Sequence, residues 1–175
     1  MSKNFEFDSY KMRLISVNDI DAYYKYGFKE SDKEAKYYTG TPDGYTKNQI
    51  YSYIQKISNT TSRYDFIISE NDEIIGEVVL SDIEEKNCHY RICIFKKENF
   101  SKGIGYKATI KILEYAFDEL NLESVDLEVF PFNERGISLY KKLGFRVENE
   151  IIDEDAQALY KKIIVMRLLK QNFNK

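Results

Sequence analysis

FSKGIGYKA, residues 100–108, is a glycine-bearing turn that opens a long amphipathic helix. The first turn of a helix leaves its backbone N–H groups without an intrahelical acceptor, and the helix dipole adds roughly half a positive charge there. Gly103 and Gly105 have no side chains, so an anion can approach this backbone closely. The stretch therefore predicts a helix start that binds phosphate, with Lys102 supplying additional positive charge.

The sequence around this turn limits what kind of phosphate site it can be. Apolar residues recur at helical spacing after the turn, at Ile104, Ala108, Ile112 and Ala116. No G-K-[ST] follows, so the turn is not a P-loop, and no βαβ unit with a partner acid follows, as a dinucleotide fold requires. A tight turn that only caps a structural helix explains the same glycines, and that alternative stays open.

NERGISLYKKLGF, residues 133–145, forms a second pattern with a tyrosine inside a short helix. Asn133 can cap the start of this helix and Gly144 can end it. Ile137 and Tyr140 lie three residues apart and share a face, so Tyr140 can be an ordinary core residue. Its alternative role is that of an acidic hydroxyl placed near whatever the glycine turn binds.

The composition is that of a soluble globular protein. The chain has 175 residues, 43% hydrophobic and 31% charged, which predicts one domain over residues 1–175. A formal net charge of -3 with scattered lysine pairs argues against nucleic acid as a partner. No stretch has the length and polarity of a membrane span or an export signal, so we expect a cytoplasmic protein without a membrane partner.

Metal and disulfide chemistry have few residues to use. Cys88 and Cys93 are five positions apart, outside the spacing of metal-binding cysteine pairs, and we expect both to be reduced thiols in a strand. His89 is the single histidine of the sequence. We therefore predict no metal site and no histidine-based triad.

Hydrophobic periodicity predicts a mixed α/β (α+β) chain with one large sheet. Strands are predicted at residues 10–15, 64–69, 74–83, 88–95, 124–129, 145–153 and 160–169. Helices are predicted at residues 17–28 with Asn18 as N-cap, from Thr46 to about residue 57, at about 103–120, and at the tyrosine pattern. The polar segment 29–45 is predicted as a loop that can contain a helical turn, and long loops in compact domains are often functional.

Together the two patterns resemble the signatures of the GNAT superfamily of N-acetyltransferases. The family's [Q/R]-x-x-G-x-[G/A] reads F-S-K-G-I-G here, and N-x-x-[A/S]-x-x-[L/F]-Y-x-x-x-G-F reads N-E-R-G-I-S-L-Y-K-K-L-G-F. Within the superfamily, the length and the R-I-C-I-F-K-K strand are similar to ribosomal-protein alanine acetyltransferases and spermidine acetyltransferases. The resemblance implies a single GNAT-like domain whose central, mixed, largely antiparallel twisted sheet has about seven strands, flanked by about four helices.

The resemblance also implies acetyl-CoA as acyl donor and a primary amine as acceptor. Tyr140 then corresponds to the general acid, and Glu128 to the base, although a solvent-facing strand position explains Glu128 equally well. Glu77 or a water relay are the other candidates for the base. The residues expected at the cofactor are Cys93, Ile94, Phe95, Phe100, Ser101, Lys102, Gly103, Ile104, Gly105, Tyr106, Asn133 and Tyr140.

Two positions depart from the family pattern. Phe100 replaces the family's Gln or Arg, which removes one side-chain contact to the pyrophosphate. Gly136 stands where Ala or Ser is common, and glycine lowers helix propensity by about 1 kcal/mol relative to alanine. Most of the predicted cradle is backbone N–H, so we expect cofactor binding to persist despite Phe100.

Charged residues in the polar segment 29–45 bear on the acceptor. The acidic residues Asp32, Glu34 and Asp43 favour a cationic small molecule, with a polyamine as the leading hypothesis. A protein N-terminal acetyltransferase and a non-catalytic acetyl-CoA-binding module are the alternatives, and retention of Tyr140 argues against the module. Specificity is expected in residues 29–45 and in the final hairpin. The tyrosine-rich composition permits a homodimer.

Overall fold

The computed structural model describes residues 3–58 and 60–174 of the chain. The strands are β1 (Asn4–Phe7), β2 (Tyr10–Leu14), β3 (Tyr64–Glu70), β4 (Glu73–Glu84), β5 (Asn87–Ile94), β6 (Ser124–Val129), β7 (Arg146–Ile152) and β8 (Lys162–Leu169). The helices are α1 (Ile20–Tyr24), α2 (Lys33–Thr39), α3 (Lys47–Ile57), α4 (Ile104–Glu114) and α5 (Glu134–Lys142). A 3-10 turn (Val17–Asp19) precedes α1, and π-helical turns (Lys25–Lys29 and Tyr115–Glu119) follow α1 and α4.

All eight strands join one sheet in the order β1-β2-β3-β4-β5-β6-β8-β7. Only the β5–β6 pair is parallel, so the predicted mixed and largely antiparallel sheet is confirmed. The sheet has eight strands rather than about seven because β1 was not predicted. It is a four-residue edge strand, and Asp8 closes its turn to β2 with a φ of 52°. So short a strand carries too little alternation to stand out in the sequence.

Two details near the N-terminus differ from the prediction. Residues 17–29 are helical, close to the predicted 17–28, but the N-cap is Ser16 and not Asn18. The Asp19 carboxylate accepts hydrogen bonds from the N–H and the hydroxyl of Ser16. The segment predicted as a loop, residues 29–45, contains α2, which brings the number of helices to five. Gly40 ends α2 with a φ of 63°, a left-handed conformation that glycine adopts readily.

The start of α3 agrees with its sequence signal. Thr46 accepts a hydrogen bond from the N–H of Gln49, and the Gln49 side chain accepts one from the N–H of Thr46, which completes a capping box. Ile50 and Ile54 of this helix are buried, as their helical spacing predicts. The helix therefore packs one apolar face against the sheet.

The two faces of the sheet build separate hydrophobic cores. On one face α4 and α5 cover alternate residues of the strands, including Val78, Leu80, Tyr90 and Leu127. On the other face α1, α2 and α3 cover a smaller cluster that includes Ile67, Ile74, Cys93 and Phe95. The alternation along β5 separates its side chains between these two cores, so this strand contributes to both sides of the molecule.

The parallel strands β5 and β6 separate after a short common stretch. Their pairing covers only Asn87–His89 of β5 against Ser124–Asp126 of β6, although both strands continue beyond it. The N–H of Phe95 bonds to Ile75 of β4, so strand alternation directs the N–H groups of Ile92 and Ile94 away from β4, toward the gap. A gap therefore lies in the middle of the sheet, and backbone N–H groups of β5 face it without a partner among the described residues.

The end of α5 is closed by the segment that follows β8. Gly144 has a φ of 101°, and a Cβ built on it would lie 2.1 Å from the carbonyl oxygen of Asn172. The N–H of Asn174 bonds to the carbonyl of Leu143 at 3.1 Å. The terminal turn thus covers the helix end at a distance that only glycine permits.

Candidate active site

Tyr140 reaches from α5 toward the gap between β5 and β6. Its ring packs edge-to-face on Tyr90 of β5, with centroids 6.2 Å apart, and the residue is 7% exposed. Within the described residues its hydroxyl has no hydrogen-bond partner, whereas the hydroxyl of Tyr90 bonds to Thr109. Burial, with a smaller contribution from Cys93, raises the pKa of Tyr140. The group is therefore a protonated phenol that is free to donate to a ligand.

The glycine turn places unpaired donors at the start of α4. Gly103 is the N-cap with a φ of 80°, and a Cβ there would meet nothing within 4 Å. Lys107 makes the first helical bond, to the carbonyl of Gly103. In the described part of the chain, no oxygen accepts from the N–H groups of Ile104, Gly105 and Tyr106. This open cradle fits an anionic group such as a phosphate.

A cavity of about 350 Å³ connects the glycine turn to Tyr140, and we call it the glycine-turn cavity. It lies between the start of α4, the end of β5 and the first turns of α5. All the residues expected at the cofactor line it except Phe95 and Lys102. Phe95 is buried in the second core, and the Lys102 ammonium donates to Asn99 at 3.2 Å.

Asn133 and Gly136 adjust to each other at the start of α5. The Asn133 side chain accepts a hydrogen bond from the N–H of Gly136 at 3.0 Å. A Cβ on Gly136 would lie 2.8 Å from the side-chain nitrogen of Asn133. Glycine at position 136, where the family pattern has Ala or Ser, therefore leaves space for the Asn133 side chain that caps the helix.

Arg135 lines the same cavity and was not singled out by the sequence analysis. Its guanidinium lies 4.0 Å from the ring centroid of Phe100 and 5.1 Å from that of Tyr38. The sequence contains a signal, an arginine two positions after the Asn133 cap, but the stacking on Phe100 depends on how two distant segments pack. The exposed Arg135 guanidinium therefore lies beside Phe100, the position at which the glycine-turn motif departs from the family pattern.

A second cavity of about 150 Å³ borders the inner side of β6, and we call it the β6 cavity. Its lining includes Glu128, His89, Arg91 and Phe130, and it shares Tyr140 with the glycine-turn cavity. Glu128 is an exposed carboxylate of β6 that has no ion-pair partner among the described residues. The two cavities therefore adjoin, because both are lined by Tyr38, Thr39, Ile92, Asn133 and Tyr140, and the β6 cavity adds the Glu128 carboxylate.

Glu77, the other carboxylate considered as a base, is used inside the protein. It is 5% exposed and accepts hydrogen bonds from the Tyr23 hydroxyl and the Arg91 guanidinium. It lines neither the glycine-turn cavity nor the β6 cavity. Its contacts hold α1 and β5 together beneath the site.

The Cys93 thiol lies at the wall of the glycine-turn cavity. Burial raises its pKa to about 12, and the nearby Glu77 carboxylate acts in the same direction. Cys88 is fully buried in the first core, and burial likewise raises its pKa to about 12. Both cysteines are free thiols in β5, as expected.

The acidic residues of segment 29–45 all have partners within the chain. Asp43 pairs with Lys36 at 2.6 Å, and Glu34 pairs with Lys97 at 2.9 Å. Asp32 accepts a hydrogen bond from the N–H of Lys97 at 2.6 Å. The two contacts with Lys97 tie α2 to the turn that follows β5, so the acidic character of the segment has a structural explanation.

Comparison with known proteins identifies the family. The model of the acetyltransferase (GNAT) domain matches residues 11–146, which include both the glycine turn and the Tyr140 helix. The chain belongs to the GNAT acetyltransferases. It is an acetyl-CoA-dependent acetyltransferase, and the cradle and cavity described above fit that co-substrate.

Curated relatives and solved structures agree with this assignment. The GNAT chain is 27% identical over 169 residues to the uncharacterized N-acetyltransferase p20 of Bacillus licheniformis, and the match covers 93% of each chain. It is 34% identical over 91 residues to the spermidine N(1)-acetyltransferase of Escherichia coli K12, which covers 51% of this chain and 48% of that protein.

Two solved structures show the same fold. A spermidine N-acetyltransferase from Vibrio cholerae, in complex with CoA and spermine, has a TM-score of 0.81 at 20% identity and covers 94% of this GNAT chain and 97% of its own. The ribosomal-protein-S5-alanine acetyltransferase from Vibrio fischeri has a TM-score of 0.82 at 20% identity, with 98% and 99% covered. In the described residues, no helix is long and apolar enough to cross a membrane.

Proposed function

We propose that this GNAT enzyme transfers the acetyl group directly to a primary amine of a small molecule, with Tyr140 as general acid and Glu128 as base. The observation that carries the proposal is that Tyr140, whose hydroxyl has no hydrogen-bond partner among the described residues, lines both cavities. One cavity opens to the phosphate cradle, and the other contains a free carboxylate. This arrangement matches an acyl donor on one side and an amine on the other.

Acetyl-CoA supplies an acyl group activated as a thioester. We propose that the N–H groups at the start of α4 bind its phosphates and that Asn133 lies beside its arm. The gap-facing N–H groups of Ile92 and Ile94 can donate to an oxygen that gains negative charge during transfer. Tyr140 gives its phenolic proton to the sulfur that leaves, because its raised pKa keeps the proton on the phenol at neutral pH.

Glu128 is the proposed base because the acceptor must lose a proton before it attacks. An alkylammonium has a pKa near ~10.4 and is therefore almost wholly charged at neutral pH. Glu128 can bind that cation and accept its proton directly or through water. Glu77 is a weaker candidate, since Tyr23 and Arg91 already occupy its carboxylate oxygens.

Glu128→Gln should lower kcat/KM for the amine at least about tenfold at pH 7, because the amide can neither take a proton nor pair with the cation. The loss should shrink as the pH approaches the amine pKa of about 10.4, where the solvent provides the neutral amine. The measurement is a pH series of initial rates. Glu148→Gln, on exposed β7, is the control that should change nothing. An unaltered pH profile in Glu128→Gln would remove Glu128 as the base.

The proposed function is tested by following CoA release from acetyl-CoA against amines, polyamines and peptides with a free N-terminus. Acetylation of a small amine supports the proposal, and acetylation of peptides alone supports a protein N-terminal acetyltransferase instead. Binding of acetyl-CoA without transfer to any acceptor would indicate a non-catalytic module. A homodimer stays a prediction that the oligomeric state in solution decides.

A further inference from the structure

An aromatic cluster borders the β6 cavity. It consists of five half-buried rings, Tyr37, Tyr38, Phe130, Phe132 and Tyr160. Phe130 and Phe132 stack with centroids 5.3 Å apart and an interplanar angle of 8°, and Tyr160 lies 4.9 Å from Phe130. Tyr37 lies 4.6 Å from Phe132. Tyr38 and Phe130 line the cavity itself, so a bound molecule meets ring faces there.

The aromatic cluster joins the two segments that were expected to set specificity. Its rings come from α2, from the connection between β6 and α5, and from the connection between β7 and β8. Gly40 brings the end of α2 against Phe130, because a Cβ on Gly40 would lie 3.1 Å from that ring. The three segments therefore form one wall of the site, and this wall is aromatic rather than acidic.

The charges around the β6 cavity fit an acceptor with one positive charge. Glu128 is a carboxylate of this cavity without a partner among the described residues, and Arg91 is neutralised by Glu77. His89 also lines the cavity but carries no negative charge. A polyamine extends several ammonium groups away from the reacting one, and each would need a carboxylate. The acidic residues of segment 29–45 are already engaged within the chain.

We propose that the acceptor is a primary monoamine with a flat apolar body, of the arylalkylamine class. Its ammonium group lies at Glu128, beside Tyr140, and its body packs on the rings of Tyr38 and Phe130. Stacking of the body on these ring faces and attraction of the ammonium group to the ring electrons both stabilise this orientation of the acceptor. The inference rests on the proposed amine acetyltransferase function and specifies its substrate.

The experiment compares kcat/KM for 2-phenylethylamine, propylamine and spermidine. We expect kcat/KM for phenylethylamine to exceed both others at least about tenfold, because only its aromatic body can stack on the rings of the cluster. Equal values, or a preference for spermidine, would overturn the proposed class and leave the acetyltransferase function intact. Failure of every amine and peptide as acceptor would instead overturn the proposed function together with this inference.

Phe130→Leu removes the aromatic ring but keeps most of the apolar volume of the side chain, so it tests the contribution of the ring. Its KM for phenylethylamine should rise about tenfold, whereas its KM for propylamine should rise much less, because propylamine has no aromatic body to stack on the ring. Phe5→Leu is the matched control, because Phe5 is also half-buried and packs on two rings, Phe66 and Tyr115, but lies on β1. An equal change in both variants, or no change in Phe130→Leu, would contradict the contact.

A different observation concerns Arg135. Phe100 occupies the position from which the cofactor motif ordinarily extends a polar side chain, and the Arg135 guanidinium lies over the Phe100 ring at 4.0 Å. Arg135 has no carboxylate partner within the described residues. Stacking holds the cation in the glycine-turn cavity, together with Gly103 and Gly105. We infer that Arg135 binds a phosphate of CoA and replaces the contact that Phe100 cannot make.

Arg135→Ala should raise the Kd of acetyl-CoA, measured by titration calorimetry, about tenfold, and Arg135→Lys should raise it less. The effect should weaken with salt. Arg146→Ala, which removes an exposed arginine from β7, is the control. Phe100→Gln should restore part of the affinity in the Arg135→Ala background. Unchanged affinity in Arg135→Ala would overturn the assignment, while measurable binding would still support the acetyl-CoA site.

Discussion

Tyr140→Phe should reduce kcat by about 10²- to 10⁴-fold, the range that a positioned general acid contributes. Acetyl-CoA binding and the melting temperature should stay close to those of the wild type, because the lost hydroxyl makes no hydrogen bond within the described residues. The measurement is the rate of CoA release at saturating acceptor, combined with calorimetric binding of acetyl-CoA.

The pH dependence provides a second test of the same group. Because burial raises the pKa of Tyr140, its proton is retained above the pH of about 10 at which an ordinary tyrosine ionises. The wild-type rate should therefore show no decline from loss of this acid at or below that pH. Tyr10→Phe removes a phenol hydroxyl from β2 and should leave kcat unchanged. A wild-type kcat in Tyr140→Phe would disprove its role as the acid.

Gly144→Ala should destabilise the fold by about 3 kcal/mol or more. A left-handed backbone alone costs a non-glycine residue about 1–2 kcal/mol. At Gly144 the added Cβ would also approach the Asn172 carbonyl oxygen to 2.1 Å, which forces the covering segment away from α5. For a chain of 175 residues this corresponds to a melting temperature lower by about 10 °C, measured by calorimetry.

Gly44 offers a matched control for this effect. It has a similar φ of 92°, but a Cβ there would meet nothing within 4 Å. Gly44→Ala should therefore cost only the backbone contribution of about 1–2 kcal/mol. Equal destabilisation by the two substitutions would show that the contact with Asn172 contributes nothing to stability.

Local sequence signals predicted much of the fold. Ser124–Val129 was predicted with its observed bounds, because alternation of buried and exposed residues is complete along it. Thr46 as the start of α3 and Gly144 as the end of α5 were also predicted, since each depends on residues close in sequence. The glycine-turn motif and the tyrosine motif also predicted the starts of α4 and α5, and residues from both starts line the glycine-turn cavity.

The remaining features depend on contacts between distant segments. The separation of β5 and β6 depends on how the two strands pair, and the hydrophobic pattern of neither strand changes at the point where they separate. The stacking of Arg135 on Phe100 brings together two segments distant in sequence, and it leaves no trace in the hydrophobic pattern of either segment. The acidic residues of segment 29–45 suggested a cationic ligand, but only the fold reveals that Lys36 and Lys97 neutralise Asp43 and Glu34.

The buried Cys93 thiol has a consequence for the kinetic order of the reaction. Because burial raises the pKa of the Cys93 thiol to about 12, this group is protonated at neutral pH. A protonated thiol is a poor nucleophile, so Cys93 is not suited to carry the acetyl group, although it lies at the wall of the cavity. The direct transfer that we propose requires both substrates on the enzyme at once, and double-reciprocal plots should then intersect rather than run parallel.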